Sequence, residues 1–520
     1  MSFHSLDKPE AEIVNRSDSD SRNGVLTNNQ EEDDWSDIDE KKVLRKIDRN
    51  LLPLISVLYL LAYLDRGNIG NAKIEGLVED LGLSTNEYNL CLTIFFLTYS
   101  FFEVPSNMIL KKIGAQSVYI PSIMLGWGIV MVCMGVVKDF KGLFVTRLFL
   151  GVFESGLFPG VAYCLTLYYC KGEMQYRQAL FYSAASIAGA FSGLLAFAIA
   201  KMDGVGGYRG WRWIFILEGL LTVVVAVSAY FLMPDYPDTA KFLTPREREF
   251  VQWRLDHDNN FKKNQVSLEN TEKVQRAEPN FEGFNDSNDV SLKTALFLVF
   301  KDWQILLHVL LYWGISVPTY GVSLFLPSVI KGLGYTSSIA QLLTIPIYVT
   351  ASICSLIQAY FSDKAGIRSI FIGTNLFFVM IGFAMAIAGT DRDVPGVIYA
   401  GCFIATIPLY MAFPGIIAWN SNNLSNAKKR AVGMALHIGL GNLGGAFASN
   451  FYKPDNYIMG HGLVMGFATM GLLSCGLLVA GYKASNKKRE ERLIEGKYDE
   501  VSDEEIFRMG DKSPYFRYRI

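Results

Sequence analysis

The chain has 520 residues, of which 51% are hydrophobic, 13% aromatic and only 19% charged, with a formal net charge of −2. Mean hydropathy is +0.23, and the charged fraction lies below the ~25% of an ordinary soluble protein. These figures argue against a soluble enzyme and a disordered scaffold, and the near-neutral charge against a nucleic-acid binder, which would carry a basic face.

In chain order, residues 1–50 form a polar tail that includes "EEDDWSDIDE". Such a stretch cannot bury a core, so it reads as a disordered cytosolic tail. It lacks the charged-then-apolar start and cleavage site of a signal peptide. Twelve apolar runs follow, each near the ~20 residues that cross a bilayer. They lie at 51–72, 88–110, 117–137, 142–169, 178–200 and 211–233, then at 303–329, 338–361, 369–389, 395–416, 431–451 and 461–482. Unsatisfied backbone is not tolerated in lipid, so each run is a helix. The fold class is thus an all-α membrane protein with twelve transmembrane helices. Residues 51–233 would make one six-helix bundle and 303–482 a second. Between them lies a polar linker, 234–302, and after them a tail, 483–520.

Within the linker, "TPRERE" (244–249) places Thr244 at an N-cap, Pro245 at the first helical position and Glu247 three residues after the cap. This capping box predicts a short helix near 245–257. The remainder, from about 258 to 290, is polar and reads as flexible. Basic flanks set orientation. "KKVLRKIDR" precedes the first run and "KASNKKR" follows the last, so both termini and the linker are expected in the cytosol. The sequons at Asn15, Asn285 and Asn423 then all fall on the cytosolic side. The seven cysteines lie in apolar runs or, for Cys170, directly after one, without C-x-x-C spacing, which favours neither a metal nor a disulfide framework. No phosphate-binding G-x-x-x-x-G-K-[ST] motif occurs, so ATP drive has no support. No cofactor is expected.

The six-plus-six count suggests an internal repeat, and the turns "LKKIGAQS" (110–117) and "SDKAGIRS" (362–369) occupy matching positions in the two halves. Repeat-built transporters hold their substrate at the repeat interface. Longer motifs point the same way. They include "KVLRKIDRNLLPLISVLYLLAYLDRGNIGNAKIEGL" (42–77), "YNLCLTIFFLTYSFFEVPSNMILKKIG" (88–114), "RLFLGVFESGLFPG" (147–160), "GWRWIFILEG" (210–219) and "FLTPRERE" (242–249). The second half adds "AWNSNNLSNAKKRA" (418–431), "GLGNLGG" (439–445) and "YKPDNYIMGHG" (452–462). On these residues the chain resembles the major facilitator superfamily and, within it, anion:cation symporters of the fungal allantoate-permease type. The resemblance covers about residues 40–490. It implies two six-helix bundles around a central cavity, alternating access, and proton-coupled uptake of small organic anions.

Charge inside a membrane is costly and marks function by default. Four candidates stand out: Asp65 and Arg66 in "YLDRGN", and Arg147 and Glu154 in "RLFLGVFE". Arg147 and Glu154, seven apart, share a helix face ~10 Å apart along the axis. Counting depths puts Asp65 ~21 Å into the first helix and Arg147 ~8 Å from the far end of the fourth. They could therefore face one another across a shared cavity, either in the transport site or as a structural pair locking two helices. Glu154 lies deeper and finds at its level only Arg66. By the resemblance, Asp65 and Glu154 handle protons, and Arg66 and Arg147 the substrate carboxylate, for which arginine's planar fork is suited.

Tyr63, Tyr99, Tyr320, Tyr348, Trp419 and Asn420 are candidate substrate-lining residues, although Tyr and Trp are also common packing residues in membranes. Glu103, near Pro105, reads as structural, as do the lone His308 and His437. "ASIAGAFSG" (185–193) and "GLGNLGG" (439–445) are small-residue surfaces for close helix contact.

The expected function is import of a carboxylate-bearing metabolite by proton symport. Relatives by resemblance take up nicotinate, pantothenate, allantoate, ureidosuccinate, biotin or small peptides, and nicotinate is favoured. The alternatives are an uncoupled facilitator and a non-transporting sensor or receptor. An enzyme is not expected, since no nucleophile–base or metal constellation occurs. The partners are the anion, a proton and the bilayer. The resemblance implies the plasma membrane, and the chain is expected to be monomeric.

Overall fold

The computed structural model describes residues 35, 37–170, 173–259, 297, 299–424, 427–452, 457–498, 500–502, 505–506 and 509–520. Among them there is no strand. Twelve long helical segments carry the fold, all within the unit Glu40–Ile520. The first six are α1 Glu40–Ile74, α2 Thr85–Ile113, α3 Gln116–Gly135, α4 Phe140–Tyr168, α5 Met174–Ala200 and α6 Gly210–Leu232. The second six are α7 Trp303–Gly332, α8 Ser337–Ala365, α9 Ser369–Asp391, α10 Pro395–Asn422, α11 Ala427–Ala448 and α12 Tyr457–Ile494. Helix α4 is interrupted at Ser155–Gly156, between the pieces Phe140–Glu154 and Leu157–Tyr168.

Ten of the twelve are long and apolar enough by composition to cross a membrane. Helix α2 is diluted by Glu103 and the polar residues after Pro105, and α11 adds a shorter apolar stretch, Val432–Ala448. In the first bundle α1 packs on α5 and α6, α2 on α4, and α3 on α4 and α6. In the second, α7 packs on α10, α11 and α12, α9 on α10 and α12, and α8 on α10. The bundles meet where α2 crosses α11, α5 crosses α8 and α1 crosses α7.

Small residues make these crossings close. A Cβ on Gly193 of α5 would sit 2.6 Å from the Gln341 carbonyl oxygen of α8, and one on Gly445 of α11 would sit 2.2 Å from the Phe96 ring of α2. The two small-residue stretches thus form the bundle interface. At the end of the bundles away from Glu40 and Ile520, polar contacts tie the bundles together. Lys331 Nζ and Ser337 Oγ donate to the Ile74 carbonyl at 3.0 and 3.1 Å. Gln341 donates to Glu75 at 3.1 Å and Asn450 to Thr93 at 3.0 Å.

Two segments differ from the expectation of polar tails. The basic flank 41–49 is the start of α1 rather than part of a coil. Val43, Ile47 and Leu51 recur at helical spacing and are buried, while Asp48 accepts from Arg177 Nε and Tyr169 Oη, both at 2.8 Å. Lys46 reaches Glu247 at 2.5 Å. Glu247 lies in the linker helix Pro245–Asn259, where its carboxylate accepts from the Thr244 N–H at 2.9 Å. The stretch 260–296 and residues 1–34 lie outside the described residues.

The C-terminal segment folds back under the second bundle. Asp511 is 4% exposed and accepts from Lys429 Nζ at 2.6 Å, and Lys429 also reaches Asp302 at 2.6 Å. Tyr518 stacks on Tyr482 at 4.6 Å and exchanges two hydrogen bonds of 2.9 Å with Asn486. The last carbonyl, of Ile520, accepts from the Arg368 N–H at 3.1 Å.

Candidate functional site

Adjacent residues on a helix point ~100° apart, and this separates Asp65 from Arg66. Arg66 faces α2, α4 and α7. Its Nε and Nη2 both donate to Glu154 Oε1, the first at 3.1 Å, and its Nη1 donates to Tyr320 Oη at 3.2 Å. The guanidinium carbon lies 4.9 Å from the Tyr99 ring centre and 5.5 Å from that of Phe95, within cation–π range. Tyr320 in turn donates to Asn442 Oδ1 at 2.8 Å, and Asn442 Nδ2 donates to Glu103 Oε2 at 3.2 Å. A buried polar chain, Glu154–Arg66–Tyr320–Asn442–Glu103, therefore links both bundles. Glu103, expected to be structural, is its last member.

Asp65 faces the other way, into the first bundle. Its Oδ2 accepts from Thr222 Oγ1 of α6 at 2.9 Å and from Trp127 Nε1 of α3 at 3.1 Å. The Asp65–Arg147 pairing inferred from depth is not formed. Equal depth does not set rotation, and Asp65 is turned toward α3 and α6.

Arg147 is 1% exposed, and its Nε and Nη2 have no hydrogen-bond partner. These two N–H groups make one edge of the guanidinium, the edge that grips a carboxylate side-on. Glu154 and Asp65 both lie within its electrostatic reach, as do Tyr88 and Cys91 of α2.

Tyr63 and Tyr348 belong to an aromatic layer beside this cluster. The Tyr63 and Tyr410 hydroxyls share a hydrogen bond of 2.6 Å, and Tyr348 meets Tyr410 edge-on at 5.8 Å. Tyr182 of α5 stacks flat on Phe413 of α10 at 4.1 Å, closing the layer across the bundles. Toward the end of the bundles that holds Glu40 and Ile520, a small crevice lies between α4, α5 and α10, lined by Phe158, Leu165, Gln178, Tyr182 and Ile417 among others.

Trp419 and Asn420 are not part of the cluster. They sit in the last turn of α10, where Trp419 Nε1 donates to the Arg519 carbonyl at 2.9 Å and Asn420 contacts Met434. That places Trp419 under the C-terminal segment, beside His308 and Tyr482. His308 bonds Tyr482 at 2.9 Å and His437 bonds the His308 carbonyl at 3.1 Å, so both histidines pack the second bundle. Asn423 is fully buried against Arg519.

Reading the sequence passed over Asn442, Tyr410 and Glu218. Glu218 carried the same signal as Asp65, one acid inside an apolar run, within the quoted motif "GWRWIFILEG".

Comparison with known proteins agrees with this architecture. The model of the Major Facilitator Superfamily matches residues 55–449. The MFS-type transporter cnsO of Penicillium expansum is 33% identical over 499 residues, covering 93% of this chain and 91% of its own. An uncharacterized transporter of Schizosaccharomyces pombe is 32% identical over 466 residues, covering 89% of this chain and 91% of its own. The solved structure of the proton:xylose symporter XylE shares the fold, with a TM-score of 0.60 at 14% identity over 83% of this chain and 96% of its own. With twelve helices in two bundles and a match over most of its length, the chain belongs to the major facilitator superfamily.

Proposed function

We propose that this transporter imports a small carboxylate-bearing organic anion, nicotinate foremost, by proton symport with alternating access across the plasma membrane. The observation that carries this reading is the unequal state of the two buried arginines. Arg66 is occupied by Glu154, while the carboxylate-gripping edge of Arg147, its buried Nε and Nη2, has no hydrogen-bond partner in the protein. An unpaired buried guanidinium calls for an anion. A proton on Glu154 would release Arg66 as well, so that substrate and proton enter together. The aromatic faces of Tyr99 and Tyr320 beside Arg66 suit a flat ring.

The test is uptake of labelled nicotinate by cells lacking their own permeases, with pantothenate, allantoate, ureidosuccinate and biotin as competitors. Concentrative uptake that collapses when the pH gradient is discharged is expected. Uptake that only equilibrates would point to the facilitator alternative. No uptake of any of the anions would point to a sensor.

A further inference from the structure

The end of the bundles away from Glu40 and Ile520 is the outer end on the topology set by the basic flanks. There the seam between the bundles holds a cation that the central cluster does not use. Lys73 follows Arg66 by seven residues on α1, two turns and about 10 Å further out on nearly the same face. Its ammonium lies 4.5 Å from the ring centre of Tyr88 of α2 and 5.5 Å from that of Phe325 of α7. Lys73 is half-buried, and among the described residues its ammonium makes no ion pair and no hydrogen bond. Glu79, in the short helix Leu77–Asp80, is within electrostatic reach but outside ion-pair distance.

The two rings belong to different bundles. Tyr88 donates its hydroxyl to the Ile69 carbonyl at 3.2 Å, which fixes it to α1. Phe325 stacks on Tyr452 at 4.9 Å, which fixes it to the second bundle. The bundles touch at this level. A Cβ on Gly70 would sit 2.8 Å from the Leu324 carbonyl oxygen, and the Ile74 carbonyl accepts from Lys331 and Ser337. Alternating access has to part these contacts at the outer end. Lys73 then keeps Tyr88 and loses Phe325, so one flank of its ammonium is bared to the opened path. Tyr88 is also within electrostatic reach of Arg147, whose Nε and Nη2 have no hydrogen-bond partner. Lys73, Arg147 and Arg66 thus form a file of cations from the outer mouth inward, and such a file draws an anion along it.

We propose that Lys73 is an outer receiving site for the carboxylate of the transported anion, separate from the site at Arg66 and Arg147. With the outer end open, the ammonium binds the carboxylate. As the bundles close, Phe325 returns over the ammonium, and this cation–π contact takes the place of the carboxylate, which passes to the Arg147 fork. Closure itself therefore clears the receiving site. The inference rests on reading the substrate as an organic carboxylate, and the measurements separate the two.

In uptake assays Lys73→Gln is expected to raise the KM for external nicotinate about tenfold with kcat unchanged, the mark of lost binding rather than lost turnover. Lys73→Arg keeps the charge and should stay near the wild-type KM. In a cysteine-free background, Lys73→Cys should share the raised KM. Treatment with 2-aminoethyl methanethiosulfonate, which puts an ammonium back on the thiol, should restore it, and the anionic 2-sulfonatoethyl reagent should not. Phe325→Leu keeps the lysine and removes the ring that competes with the anion, so it should lower the KM.

A wild-type KM in Lys73→Gln would overturn the proposal. So would equal effects of the two reagents, since bulk rather than charge would then matter. If the Lys73 variants do not reach the membrane, an unmoved KM in Phe325→Leu overturns it. Should the wild type carry none of the five anions, the symport reading fails on its own. The receiving site is then decided by acylation of Lys73 with sulfosuccinimidyl acetate, followed by mass spectrometry. Slowing by an excess of any of the anions supports the site, and an unaltered rate with all of them overturns it.

Discussion

At the scale of single residues, the two buried arginines differ in their pairing, Arg66 being held by Glu154 and Arg147 not. Arg147 presents a fork with two open donors, and lysine would keep its charge but lose the parallel pair. Hydrogen bonds to a charged group contribute about 1.5–3 kcal/mol. Arg147→Lys is therefore expected to weaken apparent nicotinate affinity by roughly 10- to 150-fold, read as KM in transport assays. Wild-type KM would sink the fork assignment. Glu154 occupies the corresponding edge of Arg66. Glu154→Gln mimics the protonated acid and frees that guanidinium permanently. The expected result is loss of pH-driven accumulation together with retained substrate binding, checked by uptake and by ligand-induced thermal shift. If Glu154→Gln still accumulates nicotinate as the wild type does, Glu154 is not a proton carrier.

At the scale of helices, the interface between bundles is closed by backbone approaching backbone. On Gly193 even one methyl group would press on the Gln341 carbonyl, and overpacking of this kind costs about 1–3 kcal/mol. Gly193→Val should hold α5 and α8 apart, shifting the balance of states about ten- to hundredfold away from the closed arrangement. The check is crosslinking between cysteines introduced on α5 and α8. Crosslinking at the wild-type rate would show that the contact tolerates bulk.

The C-terminal segment is anchored at Lys429. Burial pulls this ammonium down, but Asp511 and Asp302 outweigh it and hold it above its ordinary value. A raised lysine contributes in full below its unfolded pKa, about 10.4. The contribution is lost only as pH climbs through the higher folded value. Docking should therefore be constant from pH 6 to about 9. Asp511→Asn should weaken it by about 2 kcal/mol, since Lys429 keeps Asp302. Limited proteolysis of the C-terminus across pH measures both, and release near neutral pH would contradict the ion-pair account.

At the scale of the whole molecule, both chain ends of the unit Glu40–Ile520 are tied to the same end of the bundles. The start of α1 is held through Asp48 and Lys46, and the C-terminal segment through Lys429, Asn423 and Asn486. We place that end in the cytosol, because the basic flanks lie there. Asn270→Cys in a cysteine-free background should resist an impermeant maleimide in intact cells and react after permeabilisation. Labelling of intact cells would invert the topology.

What the sequence determined by itself is what depends on local composition. Long apolar runs must become helices in lipid whatever their neighbours are, so the number of helices, their order and the two halves were legible, and the motifs carried the family. The four principal charges were legible for the same reason, as isolated ions in apolar runs. Rotation and partnership were decided only in three dimensions. Arg66 finds Glu154 at a separation of 88 residues and Tyr320 at 254, and only packing brings such groups together. Asp65, one residue from Arg66, is turned by the helix toward Trp127 and Thr222 and away from Arg147. Trp419 went to the C-terminal segment because that segment folds back, a long-range event that a polar composition does not announce. Burial of a carboxyl and the identity of its partner are properties of several helices at once, and no single run of sequence holds them.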